Sequence, residues 1–403
     1  MTMAAVHLAA GEPAPARRLR VAVLNRRFMA TGGGAERYSI ALVEHLAAQH
    51  EMHVFAQELD HQWPGVTYHR VSCPTRKPRW VNQLWYATVT WWATRKGFDV
   101  VHSHENTWHG NVQTMHVLPV RFNLLNGLSG WRLGLRWLKI VTSPRLLVYL
   151  ALEGARFSLK RPRVVVLASQ TLVAQVLQAY PHCQSAIQVI TPGVERVPGA
   201  ASAQEKLAAR ALLGLPPSAY CLLFVGNDYR KKGLETLLAA LVQLPPDCCL
   251  AVVGNAEQLP AFKAQAKALG LLERVFFLGP MRDVGPAYVA ADCLAHPTRE
   301  DTFAMVVLEA MAHGLPVVVS SARYCGIAAL LRAGQDALVL EDPYDASALA
   351  GALVQVERSA ELKFRLQKGA ITFARQHQWA ALAKLHDLSY QLLKNELTEC
   401  RKN

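Results

Sequence analysis

Short apolar runs alternate along this chain with longer stretches in which apolar residues recur every three or four positions. Runs of the first kind, bounded by Gly, Pro or polar residues, are typical of buried strands, and the longer stretches are typical of amphipathic helices. In the first half, a strand at Leu19–Asn25 leads through a Gly-rich turn into a helix at Ala35–Gln49. Further strands are predicted at His53–Gln57, Asp99–His104 and Arg163–Gln170. This alternation predicts a doubly wound α/β domain.

The same pattern restarts after Ile190–Glu195, and the 403 residues are enough for two domains of this kind. We therefore predict Rossmann-like domains over 19–195 and 214–370, joined by an Ala-rich linker over 196–213. Residues 1–18, rich in Ala and Pro, are predicted to be a disordered leader. The strands predicted in the second domain are Tyr220–Gly226, Cys249–Gly254, Val275–Gly279 and Val317–Val319.

The segment His296–Ser321, HPTREDTFAMVVLEAMAHGLPVVVSS, carries the most specific pattern in the chain. It places Asp301 and Glu309 eight residues apart, on a turn of small residues that leads into an apolar helix. The start of a helix offers unpaired N–H groups to an anion, and Glu309, two turns on, lies on roughly the same face. Such a unit can hold a phosphate at the helix start and sugar hydroxyls on its carboxylates. The alternative is an ordinary β–α–β unit with surface acids.

Two further loops follow predicted strands and carry residues suited to phosphate. Lys231 and Lys232 lie in GNDYRKKG, between a strand and a helix, where two cations can stabilise a diphosphate leaving group. TGGGAER contains Gly33, Gly34 and Arg37, and its glycines permit close approach of the backbone to a ligand. A solvated helix start and a plain glycine turn are the respective alternatives.

Four histidines, His102, His104, His109 and His116, cluster near the end of one predicted strand and the start of the next. Their spacings do not form a closed zinc pattern, and no cysteine lies nearby. A lone histidine is more often structural than functional. No DxD triplet occurs in the chain, so we expect neither a metal nor another cofactor to be required.

Charge separates the two halves of the chain. Residues 1–192 contain 21 Lys and Arg against nine Asp and Glu, whereas residues 193–403 contain 22 against 21. This asymmetry indicates an acidic partner for the N-terminal half. The eight cysteines form no CxxC pair, which fits a reducing compartment, and no apolar run approaches the roughly 18 residues that a membrane span needs.

Residues 121–163 combine nine Lys and Arg with interleaved aromatic residues and leucines, and they contain one acid, Glu153. WRLGLRWLK within this segment is a basic amphipathic stretch suited to the headgroup layer of an anionic membrane. Lys77–Trp92 adds a second basic aromatic patch. The same composition could bind single-stranded nucleic acid, or form core helices with snorkelling cations.

The quoted motifs resemble those of the retaining glycosyltransferases of family four, which have the GT-B fold of two Rossmann-like domains facing across a cleft. DTFAMVVLEAMAHGLPVV is similar to the family pattern EGFGxxxLEAMAxGxPVV, with Asp301 at the position of the first Glu. GNDYRKKG is closer to the loop of the lipopolysaccharide-core glucosyltransferases than to the usual GRxxxxKG. The resemblance covers most of 19–390, and it implies that residues 371–403, including a helix at Trp379–Lys394, cross back to the first domain.

The resemblance also implies a role for each candidate residue. Glu309 holds the ribose hydroxyls, and Asp301, with Glu300 as a possible substitute, holds hydroxyls of the donor sugar. His116, in a TxH-like segment, lies near the reacting bond, with His104 as a weaker candidate. The remaining donor-binding residues are those at the diphosphate, Gly33, Gly34, Lys231, Lys232, Ala304, Met305 and Val306, and those bordering the base, Arg282 and Val284.

The implied function is transfer of a sugar from a nucleotide donor, with UDP-glucose or another UDP-hexose as the first choice, with retention of anomeric configuration. The implied acceptor is a lipopolysaccharide-core glycan, or another phosphorylated or lipid-linked glycan. The protein is then expected at the cytoplasmic face of a bacterial inner membrane, bound through residues 121–163 and not bound to nucleic acid. The alternative is a non-catalytic GT-B protein that binds a nucleotide or acts as a scaffold.

Overall fold

A computed structural model describes residues 18–29, 32–254 and 256–400 of the chain. The predicted leader therefore lies outside the described residues except for Arg18.

The N-terminal half contains a seven-stranded parallel sheet. Its strand order is β5–β3–β1–β6–β7–β8–β9, and β2 pairs with β4 in a separate parallel ribbon. The strands are β1 (Arg20–Leu24), β2 (Arg27–Phe28), β3 (Glu51–Ala56), β4 (Glu58–Leu59), β5 (Thr67–Arg70), β6 (Val100–Ser103), β7 (Val112–Met115), β8 (Val164–Leu167) and β9 (Ile187–Val189). The helices are α1 (Gly34–Leu46), α2 (Arg79–Thr94), α3 (Val120–Leu125), α4 (Gly130–Val141), α5 (Pro144–Arg156) and α6 (Thr171–Ala179), followed by a 3₁₀ turn (Pro181–Ala186).

The C-terminal half contains a second parallel sheet, of six strands in the order β12–β11–β10–β13–β14–β15. Its strands are β10 (Tyr220–Val225), β11 (Cys248–Val253), β12 (Val275–Gly279), β13 (Cys293–His296), β14 (Val317–Ser320) and β15 (Leu338–Leu340). The helices are α7 (Ala203–Leu213), α8 (Leu234–Gln243), α9 (Leu259–Ala268), α10 (Gly285–Ala290), α11 (Met305–Ala312), α12 (Ala346–Arg358), α13 (Ala360–Gln376) and α14 (Trp379–Glu399), with 3₁₀ turns at Ala256–Gln258 and Gly326–Leu330.

Both sheets have their topological switch point beside their first strand. In the N-terminal sheet the order reverses between β1 and β6, and in the C-terminal sheet it reverses between β10 and β13. Ligands of doubly wound sheets bind outside the carboxyl ends of the strands at this point. The loops that follow β1, β10 and β13 are the three that carry the candidate motifs, and the prediction of two Rossmann-like α/β domains is confirmed.

The segment predicted as a linker, 196–213, contains helix α7. Ser202 and Glu205 form a reciprocal capping box at its start, which fixes where the helix begins. Near its end, the buried Arg210 side chain lies 2.6 Å from Asp292 and ties α7 to the C-terminal domain. This part of the chain is therefore a packed helix, and the cap and the ion pair are the physical reason.

Helix α14 packs on the N-terminal domain although it follows the C-terminal domain in the chain. The Tyr38 hydroxyl lies 2.6 Å from His386 Nε2, and the Tyr390 hydroxyl lies 2.6 Å from His102 Nδ1. Trp379 packs edge-on against Tyr38, with 4.8 Å between the ring centroids. Buried polar groups must find partners, and these pairs satisfy groups from both sides of the contact.

Candidate active site

Asp301 organises the loop between β13 and α11. Its Oδ1 accepts hydrogen bonds from the backbone N–H groups of Phe303 and Ala304, at 3.3 and 2.9 Å. Its own N–H donates to the carbonyl of Tyr324 at 2.8 Å. These bonds hold the loop against the neighbouring chain and set the direction from which α11 begins.

The second carboxylate oxygen of Asp301 faces a cation from another loop. Lys232 Nζ lies 2.5 Å from Asp301 Oδ2, and His296 Nε2 lies 3.3 Å from the same atom. Burial would raise the pKa of Asp301, but the hydrogen bond from His296 and the charge of Lys232 outweigh it and hold the pKa well below its usual range. Asp301 is therefore ionised at neutral pH, and Lys232 is fixed beside it.

Lys231 and Glu300 form a second ion pair, which lies at the surface. Lys231 Nζ lies 2.7 Å from Glu300 Oε1, with 44% and 56% of the two side chains exposed. Lys232 and Asp301 are 20% and 17% exposed. The two lysines are thus adjacent in the chain but differ in environment, because the Lys232–Asp301 pair is more buried than the Lys231–Glu300 pair.

The start of α11 is formed by a residue in an unusual conformation. Ala304, directly before the helix, has φ 71° and is the one non-glycine residue with positive φ in the described part of the chain. Met305 and Val306 follow as the first helical residues. First-turn N–H groups have no acceptor within a helix and carry the positive end of its dipole. This end of α11 lies next to the Lys232–Asp301 pair, because Asp301 is in the loop that leads directly into α11.

The glycine loop of the N-terminal domain approaches this helix start. Gly33 caps α1, and a Cβ placed on Gly34 would lie 3.6 Å from Met305 Cγ. The domains meet again where Ser169 Oγ lies against Gly326. The cleft between the two sheets is therefore closed in this structure, with candidate loops from both domains facing each other.

Glu309 is bound from both domains. Arg37 Nη1 of the N-terminal domain lies 2.5 Å from its Oε1, and the Tyr288 hydroxyl of the C-terminal domain donates to its Oε2 at 2.8 Å. Tyr288 is 2% exposed. Burial, and then the adjacent Glu309 charge, raise the pKa of this phenol well above its ordinary value, so it stays protonated and donates.

Two other candidates sit at the edge of this arrangement. Val284 directly precedes α10 and packs on the C-terminal core, and the N–H of Tyr288 donates to its carbonyl at 3.2 Å. It is thus one turn from the residue that binds Glu309. Arg282 is exposed in the loop before it.

His116 lies in a different environment from the other candidates. Its Nε2 is 3.1 Å from His104 Nδ1, and its ring packs edge-on against Tyr38 at 4.9 Å. Desolvation, with a smaller effect from Arg156, lowers the pKa of His116 to about 3, so the ring is neutral. Both of these ring contacts are with residues of the N-terminal domain, and the role of His116 beside the reacting bond stays a prediction.

Metal-ligand geometry occurs elsewhere. Among the described residues, the group whose His, Cys, Asp or Glu atoms are close enough to share an ion is Asp247, Cys248 and Glu357. Cys248 begins β11, whereas the candidate loops lie at the carboxyl ends of their strands. None of the candidate residues belongs to that group.

The family models match both halves of the chain. Residues 32–196 match Glycosyltransferase Family 4, and residues 206–373 match Glycosyl transferases group 1. Solved structures share the fold along nearly all of the chain. WaaG, described as a glycosyltransferase involved in lipopolysaccharide biosynthesis, has a TM-score of 0.78 at 22% identity, over 91% of this chain and 98% of its own. The Anabaena protein HepE, in complex with UDP and glucose, has a TM-score of 0.71 at 18% identity, over 92% and 99%. The chain belongs to family four of the GT-B glycosyltransferases.

Relatives in sequence match shorter stretches. A D-inositol 3-phosphate glycosyltransferase of Corynebacterium urealyticum is 32% identical over 236 residues, which is 55% of this chain and 54% of the relative. The lipopolysaccharide glucosyltransferase WaaG of Escherichia coli is 26% identical over 237 residues, 56% of this chain and 61% of the relative. The chain thus spans about half the length of the curated relatives it matches, and the predicted likeness to the lipopolysaccharide-core enzymes is confirmed.

Proposed function

We propose that this protein is a retaining glycosyltransferase that moves a hexose from a UDP-sugar, UDP-glucose first, to a phosphorylated or lipid-linked glycan such as a lipopolysaccharide core. The observation that carries the proposal is the meeting of three loops at the two switch points. They bring Lys232, the start of α11 and the glycine loop to one closed cleft, with Glu309 about one helical turn into α11.

The proposed binding of the nucleotide-sugar donor follows from the positive charge at this end of the cleft. Lys231, Lys232 and the first N–H groups of α11 stabilise the negative charge that develops on the departing diphosphate, and they do so without a metal. Gly33 and Gly34 close over the same region. Glu309 accepts the ribose hydroxyls, while Arg282 and Val284 border the base. The UDP and glucose bound to HepE support a UDP-sugar as donor.

Asp301 contributes in a second way besides contact with the sugar. Both of its oxygens already have protein partners, so its first effect is to fix Lys232 and the start of α11 in place. Glu300, exposed and one residue away, remains the second candidate for the sugar hydroxyls. His116 is proposed near the reacting bond as a neutral hydrogen-bonding group, not as a general acid, because its pKa is about 3.

The acceptor side is supported by a basic cavity of about 530 Å³ in the N-terminal domain. It lies at the carboxyl ends of β3 and β5 and includes Arg70 and Arg76 in its lining. Glu58 also lines it but is paired with Arg27 at 3.2 Å. Two guanidinium groups beside a cavity suit a phosphorylated glycan, since Arg binds phosphate oxygens in a forked geometry.

Membrane binding is supported by the exposed face of α4. Trp131, Leu135 and Leu138 recur at helical spacing and are 72%, 56% and 59% exposed. Arg132 and Lys139 lie on the same helix and are also exposed. Such a face suits the boundary between headgroups and acyl chains of an anionic membrane. No helix among the described residues is both long and apolar enough to cross a bilayer.

The test of activity is release of UDP from UDP-glucose, first without acceptor and then with a deacylated, phosphorylated lipopolysaccharide core. We expect turnover with acceptor, an α-linked product by NMR, and loss of turnover in Lys232→Ala. Arg274→Ala, a charge change at the opposite end of the sheet, is the control. UDP binding without turnover on any glycan would favour the non-catalytic alternative.

Membrane binding is tested by sedimentation with vesicles containing phosphatidylglycerol. Trp131→Glu should lower the bound fraction about tenfold or more, because it replaces the most exposed of the three apolar side chains with a negative charge. Trp63→Glu, a change at an exposed tryptophan outside α2–α5, is the control. Equal binding of the wild type to single-stranded DNA and to vesicles would contradict this part of the proposal.

A further inference from the structure

Glu309 is the point at which the two domains bind the same carboxylate. Its Oε1 is bound by Arg37 from α1 at 2.5 Å, and its Oε2 is bound by Tyr288 from α10 at 2.8 Å. The two partners come from opposite sides of the cleft. A pair of this kind exists only while the cleft is closed.

The C-terminal partner, Tyr288, is held in place by contacts within its own domain. Tyr288 is buried and stacks on His313 with 5.1 Å between centroids, and His313 Nδ1 in turn lies 2.9 Å from the backbone carbonyl of Glu309. One oxygen of Glu309 is therefore bound within its own domain, whether the cleft is open or closed.

The N-terminal partner is not fully satisfied by the protein. Arg37 lies in the first turn of α1, whose start is held near Met305. Its Nε is buried and has no hydrogen-bond partner. A buried donor without an acceptor is costly, so the protein leaves one donor of Arg37 for a ligand or a water molecule.

The carboxylate keeps capacity for a ligand while both partners are in place. A carboxylate offers about four lone-pair sites, and Arg37 and Tyr288 use one on each oxygen. One acceptor site per oxygen remains, which matches the two neighbouring hydroxyls of a ribose.

We propose that Arg37 is a positioning residue that grips Glu309 across the cleft, so that nucleotide recognition through the ribose diol and closure of the two domains occur together. Tyr288 fixes the second oxygen of the same carboxylate. This inference rests on the proposed role of Glu309 in holding ribose.

Two ligands that differ by one hydroxyl test the inference. UDP and 2′-deoxy-UDP are titrated calorimetrically into the wild type and into Arg37→Ala, Arg37→Lys and Tyr288→Phe. In the wild type we expect UDP to bind about tenfold more tightly, the factor for one hydrogen bond to a charged group. In Arg37→Ala that preference should fall to about twofold or less, and Arg37→Lys should restore part of it.

The control is Arg27→Ala, which removes the same charge from the same domain but whose partners, Glu36 and Glu58, are both N-terminal. It should keep the full preference. A merely structural role would weaken both ligands equally and leave their ratio unchanged. An unchanged ratio in Arg37→Ala, or a wild-type ratio near one, overturns the inference.

Solution scattering separates this inference from the proposed function. Without nucleotide, Arg37→Ala should have a larger radius of gyration than the wild type and Arg27→Ala. If the wild type binds no UDP, the proposed function fails, but a larger Arg37→Ala particle would still support the grip across the cleft. Identical radii in all three proteins would overturn that grip even where UDP binds.

Discussion

Lys232 and Lys231 provide a matched pair for testing the site by mutation, because they are adjacent in the chain and each faces one carboxylate. Lys232→Ala leaves Asp301, only 17% exposed, without its cationic partner 2.5 Å away. Removing one member of a fully buried pair costs about 3–5 kcal/mol. Because this pair is partly exposed, and because Asp301 keeps His296 and two N–H donors, we expect about 2 kcal/mol. Lys231→Ala removes an exposed pair, which contributes about 0–1 kcal/mol.

The assay is thermal unfolding of both variants and the wild type in the absence of ligand. For a domain of this size, about 2 kcal/mol lowers the midpoint by about 4–8 °C. Lys231→Ala should lower the midpoint by at most about 4 °C, and by less than Lys232→Ala does. In turnover, Lys232→Ala should lose about 10²–10³-fold in kcat, as when one donor to a developing oxyanion is removed. Equal destabilisation by the two substitutions would refute the assignment of Lys232 as the buried partner of Asp301.

Two further outcomes are expected from named features. Ala304→Val should lower the free energy of unfolding by at least about 2 kcal/mol, because a β-branched residue strongly disfavours φ near 71°. Ala304→Gly should change it by less than about 1 kcal/mol. A wild-type midpoint for the Val variant in a urea titration would contradict this backbone conformation. Burial lowers the pKa of both His116 and His386 to about 3, so the unfolded chain takes up their protons first as pH falls below about 6.5. The contribution of each ring to the free energy of unfolding should be full above that pH and should fall towards pH 3 by up to about 1.4 kcal/mol per pH unit. A urea midpoint that stays constant from pH 7 to 5 would be inconsistent with these pKa values. So would an unchanged dependence of that midpoint on pH in His386→Gln.

The C-terminal side of the site could be predicted from sequence because its residues lie in contiguous motifs. A strand, a turn and a helix in succession fix where Asp301 and Glu309 lie relative to the helix start. The convergence of Lys232 with Asp301 also follows, since both loops leave neighbouring strands at one switch point. Periodicity is a strong signal for such elements because burial on one face determines it.

The contacts between the domains could not be predicted in this way. Arg37 and Glu309 are separated by 272 positions, and their meeting depends on how the two sheets close on each other. Tyr288 lies in a six-residue helix whose sequence, GPAYVA, carries no periodic signal for a hydrogen-bonding role. Arg37 was visible as part of the glycine motif, but its partner was not.

Helix α7 and the histidine cluster are two further parts of the chain for which sequence and structure can be compared. The spacing of Ser202 and Glu205 is that of a capping box, a sequence signature of a helix start, and in the structure it begins α7 within 196–213. The histidine cluster is a case in which spacing alone is silent. The sequence predicts His116 for the site, whereas its contacts with His104 and Tyr38 depend on how the strands and α1 pack together.

The central claim is that the C-terminal loops hold a nucleoside diphosphate at Lys232 and at Glu309. Calorimetric titration of UDP into the wild type, Lys232→Ala and Glu309→Ala tests it most directly. We expect one UDP per chain, with affinity at least tenfold weaker in each variant, because each removes a charged contact to a different end of the ligand. Binding of UDP with equal affinity to all three proteins would contradict the account.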